Sequence, residues 1–211
     1  MSKEIITFEF EVRAELNEDH GHYLVGNPIV YGAQSEIIDK RRGRFLEIIE
    51  EGALAETDLR DVRFLINHNT EMIPLARSRN NNENSTMQMR VVPGVGMEIR
   101  VDLDVENNAD ARSLYSAVER GDISGMSFMM GAVKDKWEDT NTEMPKRYVR
   151  SIGRVYEVSA VTFPAYIESS IQTRGLSDAL DSAWKSLDSA KAEIERIERQ
   201  KQKIRILTKE F

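Results

Sequence analysis

Two serines stand in the apolar stretch GDISGMSFMM, residues 121–130. A hydroxyl in such a strand either bonds silently to its neighbours or attacks a substrate carbonyl, and attack needs a base to take its proton. Strand alternation places Ser127 on the face opposite Met126 and Phe128. If those two enter the core, Ser127 looks outward toward a groove. By composition alone Ser124 is an equal candidate. A mechanism built on histidine has few choices, because the chain holds three: His20, His22 and His68. His68 closes the apolar run RFLINHN, where it is either an inert, hydrogen-bonded strand end or a base. Asn67 and Asn69 flank it, either to orient it or to form the turn. Glu157 lies in RVYEVSAVTF among Val155, Val158 and Val161. A carboxylate buried there without a partner costs several kcal/mol. The alternative is alternation, with Glu157 and Ser159 together on a wet face.

Other chemistries find less support. No cysteine is present, which removes disulfides, thiolate metal sites and a cysteine nucleophile. The pair HGH at 20–22 could ligate zinc only with distant acids, and no H-E-x-x-H occurs, so neither a metal nor a cofactor is expected. GNPIVYG and PGVG lack the strand-to-helix setting of a phosphate loop. SGMSFMM is not the G-x-S-x-G elbow that turns a strand into a helix.

The elements that must position these residues are mostly strands. IITFEFEVRAEL alternates, with Ile6, Phe8, Phe10 and Val12 on one face. YLVGNPIVYG reads as a strand interrupted by Gly-Asn-Pro, QSEIIDKRRGR as a polar loop, and DVRFLINHN as a compact strand. MQMRVV, PGVG and MEIRVDLDV form a hairpin in which Met87, Met89 and Val91 alternate opposite Met97, Ile99, Val101 and Leu103. NNADARSLYSAVERG predicts a helix capped by Asn107 or Asn108, striped by Ala111, Leu114, Tyr115 and Val118, and stopped at Gly121. EDTNTEMP is a loop, and RYVRSIGRVYEVSAVTFPA a long strand or bent strand pair. From about residue 176 the pattern changes. Leu180, Trp184, Leu187, Ala190, Ile194, Ile197, Ile204 and Leu207 recur at three- and four-residue spacing, which predicts one long amphipathic helix. Residues 1–173 therefore form a β domain and 174–211 a helical appendage. Seven or so strands need their edges covered, in a closed barrel or a packed sheet.

The chain has 211 residues and a net charge of 29 − 36 = −7, enough length for one domain with a real core. The basic clusters DKRRGR and RQKQKIR are short and flanked by acids, so they read as solvated surface, and no nucleic-acid partner is expected. No apolar run nears the roughly 20 residues that span a bilayer, and charges occupy the N-terminus where a signal peptide has its apolar centre. A soluble cytoplasmic protein without a membrane partner is the expectation.

GRFLEIIEEGAL, VRFLINHNTEMIPLA, RGDISGMSFMM and RVYEVSAVTFPAYIESS follow one another in that order. Together they resemble the prohead (capsid maturation) proteases of tailed bacteriophages, a family related in fold to herpesvirus assemblin. The resemblance runs from about residue 22 to 172. It is most specific in NH followed by PL, in G-x-S-F, and in E-V-S-x-V-x-x-P-A. Ala76 stands where the family often has Gly, and Leu54 where it often has Phe. The resemblance implies an assemblin-like antiparallel β-barrel with flanking helices and a serine endopeptidase with Ser127 as nucleophile, His68 as general base and Glu157 as third member. The herpesvirus relatives have a second histidine in that last place. It further implies that the enzyme is packaged from the host cytoplasm into the prohead, where it cleaves the major capsid protein or its scaffolding segment. Self-association is expected, as is self-cleavage near 173–176. A non-enzymatic β-barrel assembly module docking through its C-terminal helix, or a fused scaffold in which that helix is the active part, fits the same composition. A fluorophosphonate probe separates these from a protease.

Overall fold

The computed structural model describes residues 3–8, 12–17, 21–39, 41–162 and 174–207. The self-cleavage expected near 173–176, the Phe-Pro-Ala at 163–165, the middle of the first apolar stretch at 9–11, and His20 fall wholly or partly outside them. Strands β1 (Lys3–Phe8), β2 (Val12–Asn17), β3 (Gly21–Val30), β4 (Gln34–Asp39), β5 (Gly43–Ile49), β6 (Arg63–Ile66) and β7 (Ala76–Arg77) come first. The hairpin β8 (Met87–Val92) and β9 (Gly96–Asp102) follows, then helix α1 (Ala109–Glu119). Strands β10 (Gly125–Glu138) and β11 (Lys146–Val161) and helix α2 (Arg174–Leu207) complete the chain. The described residues are mostly β with two α-helices, as the periodicities predict.

One sheet has the order β1-β10-β11-β5-β4, with β6 joined to β11 and β7 to β6; the other has the order β2-β3-β9-β8. β11 is the axis of the first. It runs antiparallel to β10 along nearly its whole length. On its other edge it carries two parallel partners end to end, β5 beside Lys146–Val149 and β6 beside Glu157–Ala160. The sheets touch at corners, where Val12 N donates to Ser124 O (3.0 Å) and Gly32 N, just after β3, donates to Ile49 O of β5 (2.9 Å). No ladder joins them among the described residues, so their strand pairing leaves two open sheets where a closed barrel was expected.

The core lies between these layers, around Phe64, Phe128, Leu24, Ile29, Met87, Met97 and Met126. α1 covers it with the four residues of its predicted stripe, and the Asn108 side chain accepts from the backbone N–H groups of Asp110 and Ala111. Along the hairpin the alternation holds except at Val91, which is 36% exposed. QSEIIDKRRGR is not a loop but β4 and the turn into β5. Its inward positions are Ser35, Ile37 and Asp39, and the polar members of that set hide the period. At the centre of the β10–β11 pair Gly153 lies against Ala132, which has φ +55°; a Cβ on Gly153 would come within 2.5 Å of that alanine's Cβ.

The first half of α2 belongs to this core. Ala183, Trp184 and Leu187 are buried, and Phe45 meets the Trp184 ring edge-on at 5.4 Å. Arg41 and Arg42 reach Asp181 (3.0 Å) and Asp188 (2.6 Å) on the helix. Farther along, Ile194, Ile197 and Ile204 are exposed. No helix among the described residues is long and apolar enough to cross a membrane.

Candidate active site

The site is built where β6 ends against β11. The parallel ladder runs to Ile66↔Ala160, and Asn67 N still donates to Ala160 O (2.9 Å). The chain then turns through two successive left-handed residues, Asn67 (φ 50°) and His68 (φ 56°). Asparagine and histidine are both enriched in that region among residues with a Cβ, and the surrounding bonds hold them there. The Asn67 side chain pins the turn, with Nδ2 donating to Thr162 Oγ1 (3.0 Å) and Oδ1 accepting from Thr162 N (2.9 Å). Asn69 Oδ1 accepts from Glu71 N at 3.1 Å. The two asparagines thus form the turn, and the contacts that orient the imidazole come from β10 and β11.

Ser127 on β10 faces Ser159 on β11, and Glu157 lies two residues from Ser159 on the same face. The turn after β6 lays His68 over this face. His68 Nδ1 is 2.6 Å from Glu157 Oε1, and Nε2 is 2.8 Å from Ser127 Oγ. A carboxylate only accepts, so its contact places the imidazole proton on Nδ1. The Nε2 lone pair is left to accept from the Ser127 hydroxyl. The sequence-predicted Ser127, His68 and Glu157, separated by 59 and 89 positions from the histidine, are in one line of hydrogen bonds. Ser124, the equal candidate by composition, is exposed and precedes the strand.

Glu157 is 2% exposed and Ser127 fully buried, so neither the wet face for Glu157 nor the open groove for Ser127 is found. Residues 125–131 and 157–161 are buried on both faces, and alternation cannot sort a strand covered on both sides. The His68 side chain keeps 12% exposure. A buried carboxylate needs partners for both oxygens, and Glu157 has them: Oε1 meets His68, and Oε2 accepts from Ser159 Oγ at 2.6 Å. Ser159 in turn accepts from His68 N at 3.1 Å. Sequence reasoning left Ser159 with no role; its place two residues after the acid, on the same face, was the available signal.

The family model of the Caudovirus prohead serine proteases matches residues 8–181. The chain belongs to that family. The match spans β2 to β11 and reaches into α2, so it includes every residue of the hydrogen-bonded line. The prohead protease also shows likeness to a solved structure, that of the bacteriophage T4 capsid assembly protease gp21. The two share 15% identity over 76% of this chain and 99% of that one, with a TM-score of 0.38, too loose to argue from. No curated protein matches. His22, of the HGH pair, packs edge-on against the Tyr115 ring at 4.7 Å. Among the described residues no cluster of three or more His, Asp or Glu side chains could hold a metal ion.

Proposed function

We propose that the prohead protease cuts peptide bonds with Ser127 as nucleophile, His68 as general base and Glu157 as the carboxylate behind it. Its substrates are the major capsid protein's scaffolding segment and the protease itself. The observation that carries the reading is the continuous contact Glu157–His68–Ser127, with one imidazole nitrogen engaged on each side. As Ser127 Oγ attacks the scissile carbonyl carbon, His68 Nε2 takes its proton. The imidazolium then gives that proton to the leaving amine nitrogen as the C–N bond breaks, leaving an acyl ester on Ser127. Water, activated by the same nitrogen, hydrolyses the ester and restores the hydroxyl. Glu157 holds the Nδ1–H tautomer and stabilises the imidazolium while it lasts.

The β layers carry this chemistry and α2 recruits it. The first half of the helix is held by the sheet, while its second half presents Ile194, Ile197 and Ile204 to solvent. That half offers an exposed apolar face to scaffold or to a second copy inside the prohead. Co-expression with the capsid protein of the same phage, followed by intact mass measurement of both chains, tests the function. The parent trims the capsid protein and itself, and the Ser127→Ala chain trims neither. Full-length masses from a folded parent, together with no fluorophosphonate labelling, would overturn the reading.

A further inference from the structure

We propose that Ser159 is a positioning residue for the reaction, acting through both His68 and Glu157. The inference rests on the triad reading above and deepens it. One hydroxyl closes a ring of three hydrogen bonds. Ser159 Oγ–H donates to Glu157 Oε2 (2.6 Å), Ser159 Oγ accepts from the His68 backbone N–H (3.1 Å), and His68 Nδ1–H donates to Glu157 Oε1 (2.6 Å). Each bond removes a different freedom. The first holds the carboxylate by the oxygen that does not face the imidazole, so the other oxygen stays aimed at Nδ1. The second holds the backbone of a histidine in a left-handed conformation (φ 56°), just past the last ladder pair of β6. There its N–H has left the ladder and needs an acceptor.

The placement explains why this acceptor lies on β11. Ser159 is fully buried and directly opposite Ser127 in the register. The nucleophile and the clamp are therefore cross-strand neighbours, and one ladder sets the separation between them. Imidazole alignment is a transition-state requirement, since the ring must take a proton from Oγ and deliver it to the leaving nitrogen without losing its aim. Loosening the ring slows the bond-making step and leaves initial binding alone.

The test uses the full-length chain and a fluorophosphonate probe, with the maximal labelling rate kinact and the half-saturating concentration KI measured separately. Ser159→Ala should lower kinact about 10–100-fold, the effect expected on losing a hydrogen bond to a charged group, with KI within about twofold. The downfield Nδ1–H proton signal of His68 should move or vanish. Ser159→Thr keeps the hydroxyl and should recover most of the rate. If Ser159→Ala is unfolded by circular dichroism, Ser159→Cys, close in size and a weak donor, takes its place and should show the same loss. A folded Ala or Cys variant with kinact within twofold of the parent, or one altered only in KI, overturns the role of Ser159 and leaves the triad standing. Parent-like labelling of Ser127→Ala overturns the triad reading itself.

Discussion

The two ends of the β10–β11 pair each bury a carboxylate beside a serine hydroxyl, but with different nitrogen donors. At one end Glu157 meets His68 and Ser159. At the other, Arg147 donates to Asp135 (2.7 Å) and to Glu47 (2.9 Å). Asp135 also accepts from Ser186 Oγ on α2 (2.7 Å), which itself accepts from Trp137 Nε1 (3.1 Å). Arg147 and Glu47 are as buried as Glu157. Arginine never gives up its proton in a protein, so the second network can only hold: it ties β5, β10, β11 and α2 together. Imidazole has one donor and one acceptor nitrogen, so under the proposed reading the first can pass a proton on. Burial and short contacts are alike at the two ends, so what would separate a reactive cluster from a structural one is a proton that can be passed on.

The largest expected break in this comparison is at the proposed nucleophile and base. Ser127→Ala and His68→Ala should each lower turnover by roughly 10⁴–10⁶-fold, and the double variant should be scarcely worse, because the residues act as a unit. Thermal melting should stay within a few degrees of the parent. A folded Ser127→Ala chain that still trims capsid protein overturns the assignment, whereas Ser124→Ala, at an exposed position, should be silent.

Next comes Glu157→Gln, which keeps the shape and removes the charge. It should cost about 10²–10⁴ in turnover. An unchanged rate would make the site a Ser–His dyad. At the opposite end Arg147→Met should lower unfolding stability by about 3–5 kcal/mol, since it leaves two buried acids without their cation. Urea unfolding reads that loss. Fluorophosphonate labelling of the folded fraction should be unchanged, and a loss of labelling there would show the two ends to be coupled.

The smallest effect lies on the rim. The Arg77 guanidinium, bonded to both oxygens of Asp61 (2.6 and 3.0 Å), holds that carboxyl below the usual carboxylate range. A lowered folded value stabilises above the unfolded pKa, near 3.9, and the benefit disappears as pH falls through the folded value. The pair is partly open to solvent and salt screens it, so Asp61→Asn should remove less than about 1 kcal/mol at neutral pH. It should also flatten the acid side of the stability curve, measured by urea titration between pH 2 and 6.

Local features were legible without the fold. The Asn108 cap, the α1 stripe, the β8–β9 hairpin and the long β11 each follow from backbone needs or side-chain period within a few residues. Ser127, His68 and Glu157 were named by resemblance of motifs, since nothing in spacings of 59 and 89 residues from the histidine tells that three side chains meet. β4 was misread because its buried face carries Ser35 and Asp39. Val91 failed its alternation near the hairpin turn, and a closed barrel was expected where two open sheets are found.

What the sequence by itself determined is the set of short-range choices: where helices start, which residues alternate, and which few side chains have reactive chemistry. Only the tertiary structure decided on which side of β11 Glu157 finds its partner, because residues 157–161 are buried on both faces and a period of two then carries no information. It alone set the left-handed turn at Asn67 and His68, which is held by Thr162 and Ser159 from a strand about ninety residues away. It alone set Ala183, Trp184 and Leu187 of α2 in the core and left Ile194, Ile197 and Ile204 exposed, although one apolar stripe is continuous in sequence.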